Sequence, residues 1–511
     1  MKYYYNLGTM FSDVASSNNN RPAIIYEECS YSYRDLDILS NQIAHYLINK
    51  GINKRDVIAI FNTKELQSYA VMIACLKIGA VYTNIDIDNP IERLKKIFLI
   101  CEPKLIISDT AVDNDIEALL ESLSVPFICR EELDISIKEM NANLPSVTKD
   151  LSGNNPAYIM FTSGSTGTPK GVVISHANIL SFIGWSTSYF SITDTDVFAQ
   201  LSPMYFDNSV FDFYTALFSR ASIVPIKKST LQNPAELVNY VEAKSCTIWF
   251  SVPTLLVYLL SVKVLDENRL PRTRLFSFGG EAFPKKDLKH LFEIFSSRSE
   301  LINVYGPTEG TCICSAHKIS ESDFNDMLSP APLGRINPNF EYLIINGNQV
   351  VKTGEKGELC LIGTNVSSGY YNDIKRTEES FVQNILITQY NEKMYKTGDM
   401  VSIDEKGVLH FKGRKDNQIK HLGYRIELEE IEAAINGLEY IKSCAVVYKR
   451  VNERYGKIIA FITFKNDIVN EENIMMDLKA FLPQYMLPNV LKIRDFLPNN
   501  PNGKIDRKNL E

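Results

Sequence analysis

The chain has 511 residues, a formal net charge of −7, 45% apolar residues and 23% charged residues. This is the composition of a water-soluble globular protein, and the length leaves room for about three or four domain-sized units. An acidic balance without a basic run argues against a nucleic-acid partner, because phosphate affinity rests on clustered Lys and Arg.

The N-terminal Met1-Lys-Tyr-Tyr-Tyr-Asn6 lacks the apolar segment of a signal peptide. Leu36, Leu39, Ile43 and Leu47 recur at helical spacing, and Gly51 ends that helix. Val57–Phe61 reads as a wholly apolar strand, 73–78 as part of a helix and Leu105–Ser108 as a further strand. The longest apolar stretch, 69–82, is broken by Lys77 and is too short to cross a bilayer. The expectation is a cytoplasmic protein with no membrane partner. Such β-α-β alternation implies parallel sheets covered by helices on both faces. From about Gly334 glycines punctuate short strands at 358–362 and 408–412, which predicts a β-rich subdomain. After Arg414 a helix carrying Leu428, Ile431, Ile435 and Leu438 precedes strand-like runs at 445–448 and 458–464. The predicted fold class is therefore α/β. It has a large N-terminal domain over 1–414, with parallel sheets and a β-rich part, and a small α+β domain over 415–511. Nine scattered cysteines and six histidines form no cluster with zinc spacing, so buried free thiols are expected.

The most informative segment is Phe161-Thr-Ser-Gly-Ser-Thr-Gly-Thr-Pro-Lys-Gly171. Glycines let a backbone approach an anion, consecutive N–H groups form a concave anion site, and hydroxyls and Lys170 add donors and charge. An ordinary surface turn is the alternative on spacing alone. Apolar runs on both sides predict strand, loop, strand. A Walker A loop is excluded, since it opens a helix and places Ser or Thr after its lysine, whereas Pro169 precedes Lys170 and Gly171 follows it. Three later motifs are modest singly. Tyr305-Gly-Pro-Thr-Glu309 reads as a turn whose Glu309 could be solvated. Tyr395-Lys-Thr-Gly-Asp399 reads as a strand-end turn, and Asn502-Gly-Lys-Ile-Asp506 as a polar turn near the terminus.

In this order the motifs are not independent. Together with Leu76-Lys-Ile-Gly-Ala-Val-Tyr82, Phe206-Asp-Asn-Ser-Val210 and the segment 413–427, they resemble the adenylate-forming superfamily. Within it the resemblance is to adenylation domains of nonribosomal peptide synthetases and stand-alone aminoacyl–carrier protein ligases. It runs from about Tyr31 to Lys508. It implies ATP and Mg2+, with Thr162, Ser163, Gly164, Ser165, Thr166, Gly167 and Lys170 around the phosphates. Gly280, Glu281, Asn303, Tyr305, Gly306 and Thr308 would flank the nucleotide, and Asp399 would take the ribose hydroxyls. Arg414 matches a second ribose contact, though it could equally be a surface charge. Glu309 would hold the metal and share a catalytic role with Thr166 and Lys504. Lys504 would bridge the substrate carboxylate and the α-phosphate. Asp416 would be the hinge on which the small domain turns, bringing Gly423-Tyr424-Arg425 towards an acceptor thiol.

By the same resemblance Asp207 pairs with the α-ammonium of an amino acid; its alternative role is to cap a helix starting near Ser209. The rest of the pocket would be Asn208, Phe211, Phe250, Ser277, Gly279, Val304, Cys312 and Ile313. That lining is apolar, with Gly279 leaving room, and suits isoleucine or valine. Asn208 departs from the pattern and could admit a polar side chain. No segment resembles a phosphopantetheine-carrying domain, so the carrier protein is expected in trans. D-alanine–carrier protein ligase is the runner-up, and an acyl-CoA ligase is the more distant alternative.

Overall fold

The computed structural model describes residues 2–164, 166–452, 454–465, 469–498, 505 and 507–510. Two compact units emerge. One comprises the chain up to Ile87 with Cys101–Met160 and Gly171–Lys415; the other gathers Asp88–Ile100, Phe161–Lys170 and the chain from Asp416 onward.

The first unit is built on three sheets. In one six-stranded sheet the order is Phe127–Cys129, Leu105–Ser108, Val57–Phe61, Val81–Ile85, Pro156–Thr162 and Lys170–Ser175. Its inner pairs are parallel, and Val57–Phe61 and Leu105–Ser108 are buried along their whole length. Strands covered on both faces show this unbroken apolar pattern instead of alternation. The helix Leu66–Ile78 is buried on every side. Lys77 within it is tolerated because its ammonium donates to Asp37 Oδ1, Ser40 Oγ and Asn41 Oδ1, each at 2.7 Å.

A nine-stranded sheet carries Glu300–Tyr305, Leu275–Gly279, Ile248–Ser251, Val197–Gln200 and Ser222–Pro225 as consecutive parallel neighbours. Ligands of such sheets bind beyond the carboxyl ends of the strands. Of the sequence-predicted pocket, these strands carry Phe250, Ser277, Gly279 and Val304. The third sheet is antiparallel and includes Glu341–Asn346, Gly357–Ile362, Lys393–Ile403 and Leu409–Arg414. One expectation is corrected here. Tyr395 to Asp399 is not a strand end, since it lies inside the 11-residue strand Lys393–Ile403. Gly398, at φ +74°, and register shifts on both sides of that strand allow a bulge where a turn was expected.

In the second unit the hairpin Gln418–His421 and Tyr424–Glu427 turns through Leu422 and Gly423, both at positive φ. That is the geometry a two-residue hairpin demands. The helix Leu428–Asn436 follows, then a sheet of Ile441–Arg450, Gly456–Phe464 and Val490–Ile493. Leu428, Ile431, Ile435 and Leu438 enter one core with Cys444, Val446 and Ile458, as their spacing predicts. All nine cysteines are free thiols, Cys75, Cys246 and Cys444 being buried. Among the described residues no helix is long and apolar enough to cross a membrane.

Candidate active site

In the first unit the site grows from two adjacent parallel strands. Leu275–Gly279 and Glu300–Tyr305 end side by side, with Gly279 paired to Val304. A Cβ on Gly279 would lie 2.4 Å from Val304 O, so glycine is required for the strands to approach. The missing side chain is therefore not evidence of extra room for substrate, which corrects the expectation from sequence. Gly280, at φ +93°, turns the chain away. Glu281 accepts the N–H of Thr254 at 2.8 Å and so caps the helix Pro253–Ser261. Asn303 donates to Pro332 O at 2.7 Å.

Beyond Tyr305 the chain doubles back. Thr311 and Cys312 both adopt positive φ, and Cys314 N–H returns to Tyr305 O at 2.8 Å. This return crosses directly over Gly306, where a Cβ would sit 2.1 Å from Cys312 O. Glu309 is not solvated, as its motif allowed, but wholly buried. Its Oε1 accepts the Tyr370 hydroxyl at 2.8 Å, and its main-chain carbonyl accepts Ser367 N–H at 2.8 Å. Tyr305 donates to Asp399 Oδ2 at 2.6 Å, and Arg414 Nη1 donates to Asp399 Oδ1 at 2.7 Å. Burial and the Asp399 carboxylate hold the Tyr305 phenol well above its ordinary range. Arg414 is thus a paired and largely buried cation, which removes its reading as a surface charge.

Asp207 sits at the start of the short helix Asn208–Val210 but makes no capping hydrogen bond with its side chain. Its Oδ2 instead accepts the Thr308 hydroxyl at 2.5 Å. The capping alternative is therefore set aside. Phe211, Phe250, Val304, Cys312 and Ile313 are buried in one apolar cluster, with Phe211 edge-on to Phe250 at 5.3 Å. Burial, then the carboxylates of Asp207 and Asp212, push the Cys312 thiol up. Asn208 is half-buried, and Ser277 Oγ is buried without a hydrogen-bond partner among the described residues.

Three further groups lie outside every motif of the sequence. Lys64 Nζ donates to the carbonyls of Gln200, Leu201 and Ile226 at 2.8, 3.0 and 2.9 Å, pinning the ends of the strands Val197–Gln200, which leads towards Asp207, and Ser222–Pro225. Asp212, fully buried, has both carboxylate oxygens without hydrogen-bond partners among the described residues. Burial raises its pKa well above the usual carboxylate range. Tyr370 reaches Glu309 across 61 residues of sequence, so no local motif links them.

The second unit holds the glycine loop. It leaves the strand Pro156–Thr162 and returns along Lys170–Ser175, as expected. Thr162 Oγ1 is buried without a partner among the described residues, and Thr166 is exposed. Ser163 Oγ donates to Arg425 O at 2.8 Å, and Gly164 N–H donates to Glu430 Oε2 at 3.2 Å. Gly167, at φ +76°, packs so closely on the helix Leu428–Asn436 that a Cβ would lie 2.7 Å from Ala433 Cβ. Lys170 Nζ lies 3.6 Å from Glu427 Oε1. Asp416, the first residue of the tail in this unit, accepts Gln418 N–H at 3.2 Å. Ser165 and Lys504 lie outside the described residues.

A glycine loop followed by buried Glu309, the Tyr305–Asp399–Arg414 cluster and a compact tail is mirrored in two family profiles. The AMP-binding enzyme profile matches residues 11–371, and the profile of the AMP-binding enzyme C-terminal domain matches 430–504. The chain belongs to the AMP-binding enzyme family. It is an ATP-dependent, adenylate-forming ligase. This AMP-binding enzyme is 31% identical over 497 residues to D-alanine–D-alanyl carrier protein ligase of Listeria monocytogenes, covering 96% of this chain and 95% of that protein. It is 34% identical over 520 residues to bacitracin synthase 1 of Bacillus licheniformis, covering 99% of this chain but 9% of that protein. Among solved structures, a nonribosomal peptide synthetase protein with adenylation and PCP domains superposes with a TM-score of 0.85 at 24% identity, over 99% of this chain and 84% of that one. The Vibrio cholerae adenylation domain AlmE, solved with glycyl-adenosine-5'-phosphate, gives 0.80 at 24% identity, over 100% and 98% of the two chains. At that identity the two structures speak for the fold.

Proposed function

We propose that this AMP-binding enzyme activates an aliphatic amino acid as its adenylate, then passes the acyl group to the phosphopantetheine thiol of a carrier protein. The observation that carries the amino-acid reading is Asp207, oriented by the Thr308 hydroxyl at 2.5 Å beside an apolar wall. A carboxylate so placed is matched to an α-ammonium, because a cation offsets the cost of keeping the charge out of water. Phe211, Phe250, Val304 and Ile313 suit an isoleucine or valine side chain.

The first step joins a substrate carboxylate oxygen to the α-phosphorus of ATP and breaks the α–β bridge, releasing pyrophosphate. Asp399, held by Tyr305 and Arg414, would accept the ribose hydroxyls. The glycine loop, with Lys170, is suited to the phosphates. Glu309 is a buried hard-oxygen donor of the kind Mg2+ takes, and by resemblance Thr166 supplies a second. The bound ion would neutralise phosphate charge. Lys504 is the proposed catalytic cation, favouring the transition state in which two anions meet. In the second step the thiol attacks the acyl carbon, and AMP leaves as the anion of a good acid.

D-alanine is the second reading. It is favoured by the close contact that accounts for Gly279, and by relatives named for D-alanine that match nearly end to end. Pyrophosphate exchange across amino acids of both hands tests the proposal. Exchange with isoleucine or valine supports the first reading, exchange with D-alanine alone selects the second, and exchange only with fatty or aryl acids overturns both. Lys504→Ala is expected to abolish exchange while leaving transfer from supplied aminoacyl-AMP largely intact.

A further inference from the structure

Within the second unit the anion-binding groups of the glycine loop are already engaged by acids. Glu430, on the first turn of the helix Leu428–Asn436, offers Oε2 to Gly164 N–H at 3.2 Å and Oε1 to the Arg93 guanidinium. Both side chains are nearly sealed from water, at 4% and 8% exposure. Glu427, one turn earlier in the chain, lies 3.6 Å from the Lys170 ammonium. Lys96 Nζ donates to Gly167 O at 2.9 Å, which holds a second cation against the loop. Beside these groups is a cavity of about 260 Å³ lined by Arg93, Lys96, Thr166, Gly167, Glu430 and Phe481 among others.

A carboxylate that bridges a loop N–H and a guanidinium stands where one phosphate, with the same charge-assisted geometry, would stand. Gly164 N–H has a single hydrogen to give, so it cannot fully serve Glu430 and a phosphate at once. We propose that Glu430 is an internal competitor for the polyphosphate site, and that Arg93 is a polyphosphate ligand which Glu430 holds until an anion displaces it. The ligand class is a polyphosphate anion, either the tail of a nucleoside triphosphate or free pyrophosphate. This rests on the reading that the glycine loop takes the phosphates of ATP. Arg93 and Glu430 lie 337 residues apart in the chain. Neither stands in a motif that the sequence singled out for phosphate binding.

The test is equilibrium binding of a non-hydrolysable ATP analogue, of pyrophosphate alone and of adenosine alone. It compares the intact chain with Glu430→Gln, Arg93→Met, Arg93→Lys and the Glu430→Gln/Arg93→Met double variant. Removing the competing charge in Glu430→Gln is expected to tighten both phosphate ligands about tenfold, the size of one charge-assisted hydrogen bond. Arg93→Met is expected to weaken both by about the same factor, with Arg93→Lys between it and the wild type. Adenosine affinity should not move in any variant, whereas general loosening of the unit would not spare it. The double variant carries no unpaired buried charge, so it remains foldable if Glu430→Gln does not, and it should bind pyrophosphate more tightly than Arg93→Met, because the competitor for Gly164 N–H is gone. Separate pyrophosphate and analogue measurements show which source of phosphate the site takes. Unchanged or weaker pyrophosphate and analogue binding in folded Glu430→Gln, beside normal binding in the wild type, sinks the competitor alone. Failure of wild type and variants alike to bind either phosphate ligand sinks the loop assignment together with it.

Discussion

At Asp207 two demands meet. On the proposed amino-acid reading, the carboxylate has to stay partly out of water to discriminate an amine, and it has to be held still while empty. The Thr308 hydroxyl meets the second demand with one short hydrogen bond, and Lys64 fixes the strand end from which the Asp207 loop departs. Asp207→Ala should raise the KM for the amino acid about a hundredfold, the size expected for a lost charge-assisted pair, with the KM for ATP changing little. Thr308→Val keeps the charge but frees its orientation, so a smaller rise of about fivefold is expected. Steady-state kinetics with each substrate varied in turn checks both. A hundredfold effect on ATP instead would remove Asp207 from the amine site.

At the scale of elements, the close approach of Cys312 to Gly306 sets the shape of the segment carrying Thr308 and Glu309. Gly306→Ala would force a Cβ to within 2.1 Å of Cys312 O and 2.9 Å of Cys314 N, both backbone atoms that cannot swing aside. Overpacking of this kind costs about 1–3 kcal/mol. Gly184 is the contrast: it lies inside the helix His176–Tyr189 and a Cβ there meets nothing within 4 Å. Gly184→Ala should therefore stabilise by roughly 0.5–1 kcal/mol through helix propensity alone. Denaturant melts of the two variants should move in opposite directions, and a shared direction would refute the packing account.

The same elements show what was legible beforehand. Val57–Phe61, Leu105–Ser108 and the heptad-like run from Leu428 carry their burial in their own periodicity, so the sequence located them well. At Tyr395–Asp399 a local Gly-Asp pair signals a turn, whereas cross-strand pairing to 357–361 and Arg414 makes it part of a strand. Motifs named Glu309, Asp399 and Asp207, and also the Tyr305, Arg414 and Thr308 that hold the last two, but not the Tyr370 beside Glu309. Tyr370, Lys64 and Arg93 owe their places to contacts made far along the chain, which no window of sequence contains.

On the scale of the whole molecule, acid tolerance depends on a histidine remote from the chemistry. His176 is wholly buried, and its Nδ1 accepts the N–H of Leu7 at 3.0 Å, which ties the helix Leu7–Ser17 to the helix His176–Tyr189. Accepting that bond requires a ring without a proton on Nδ1. Burial, with a smaller contribution from Lys54, lowers its pKa from the ordinary 6.5 to about 3. In the unfolded chain the ring recovers its normal pKa, so below pH 6.5 the unfolded state binds the extra proton. The stabilisation is whole above that pH and drains away as the pH falls towards 3, by up to about 1.4 kcal/mol per unit. His176→Gln keeps an acceptor for Leu7 but cannot titrate. Urea unfolding at pH 7, 6, 5 and 4 should therefore show a shallower acid limb in the variant, with the gap widening by about 1.4 kcal/mol per unit below pH 6. The carboxylates common to both chains cancel in that difference. Parallel acid limbs would mean that His176 takes its proton without unfolding, and the tie to Leu7 would then not govern the stability of the first unit in acid.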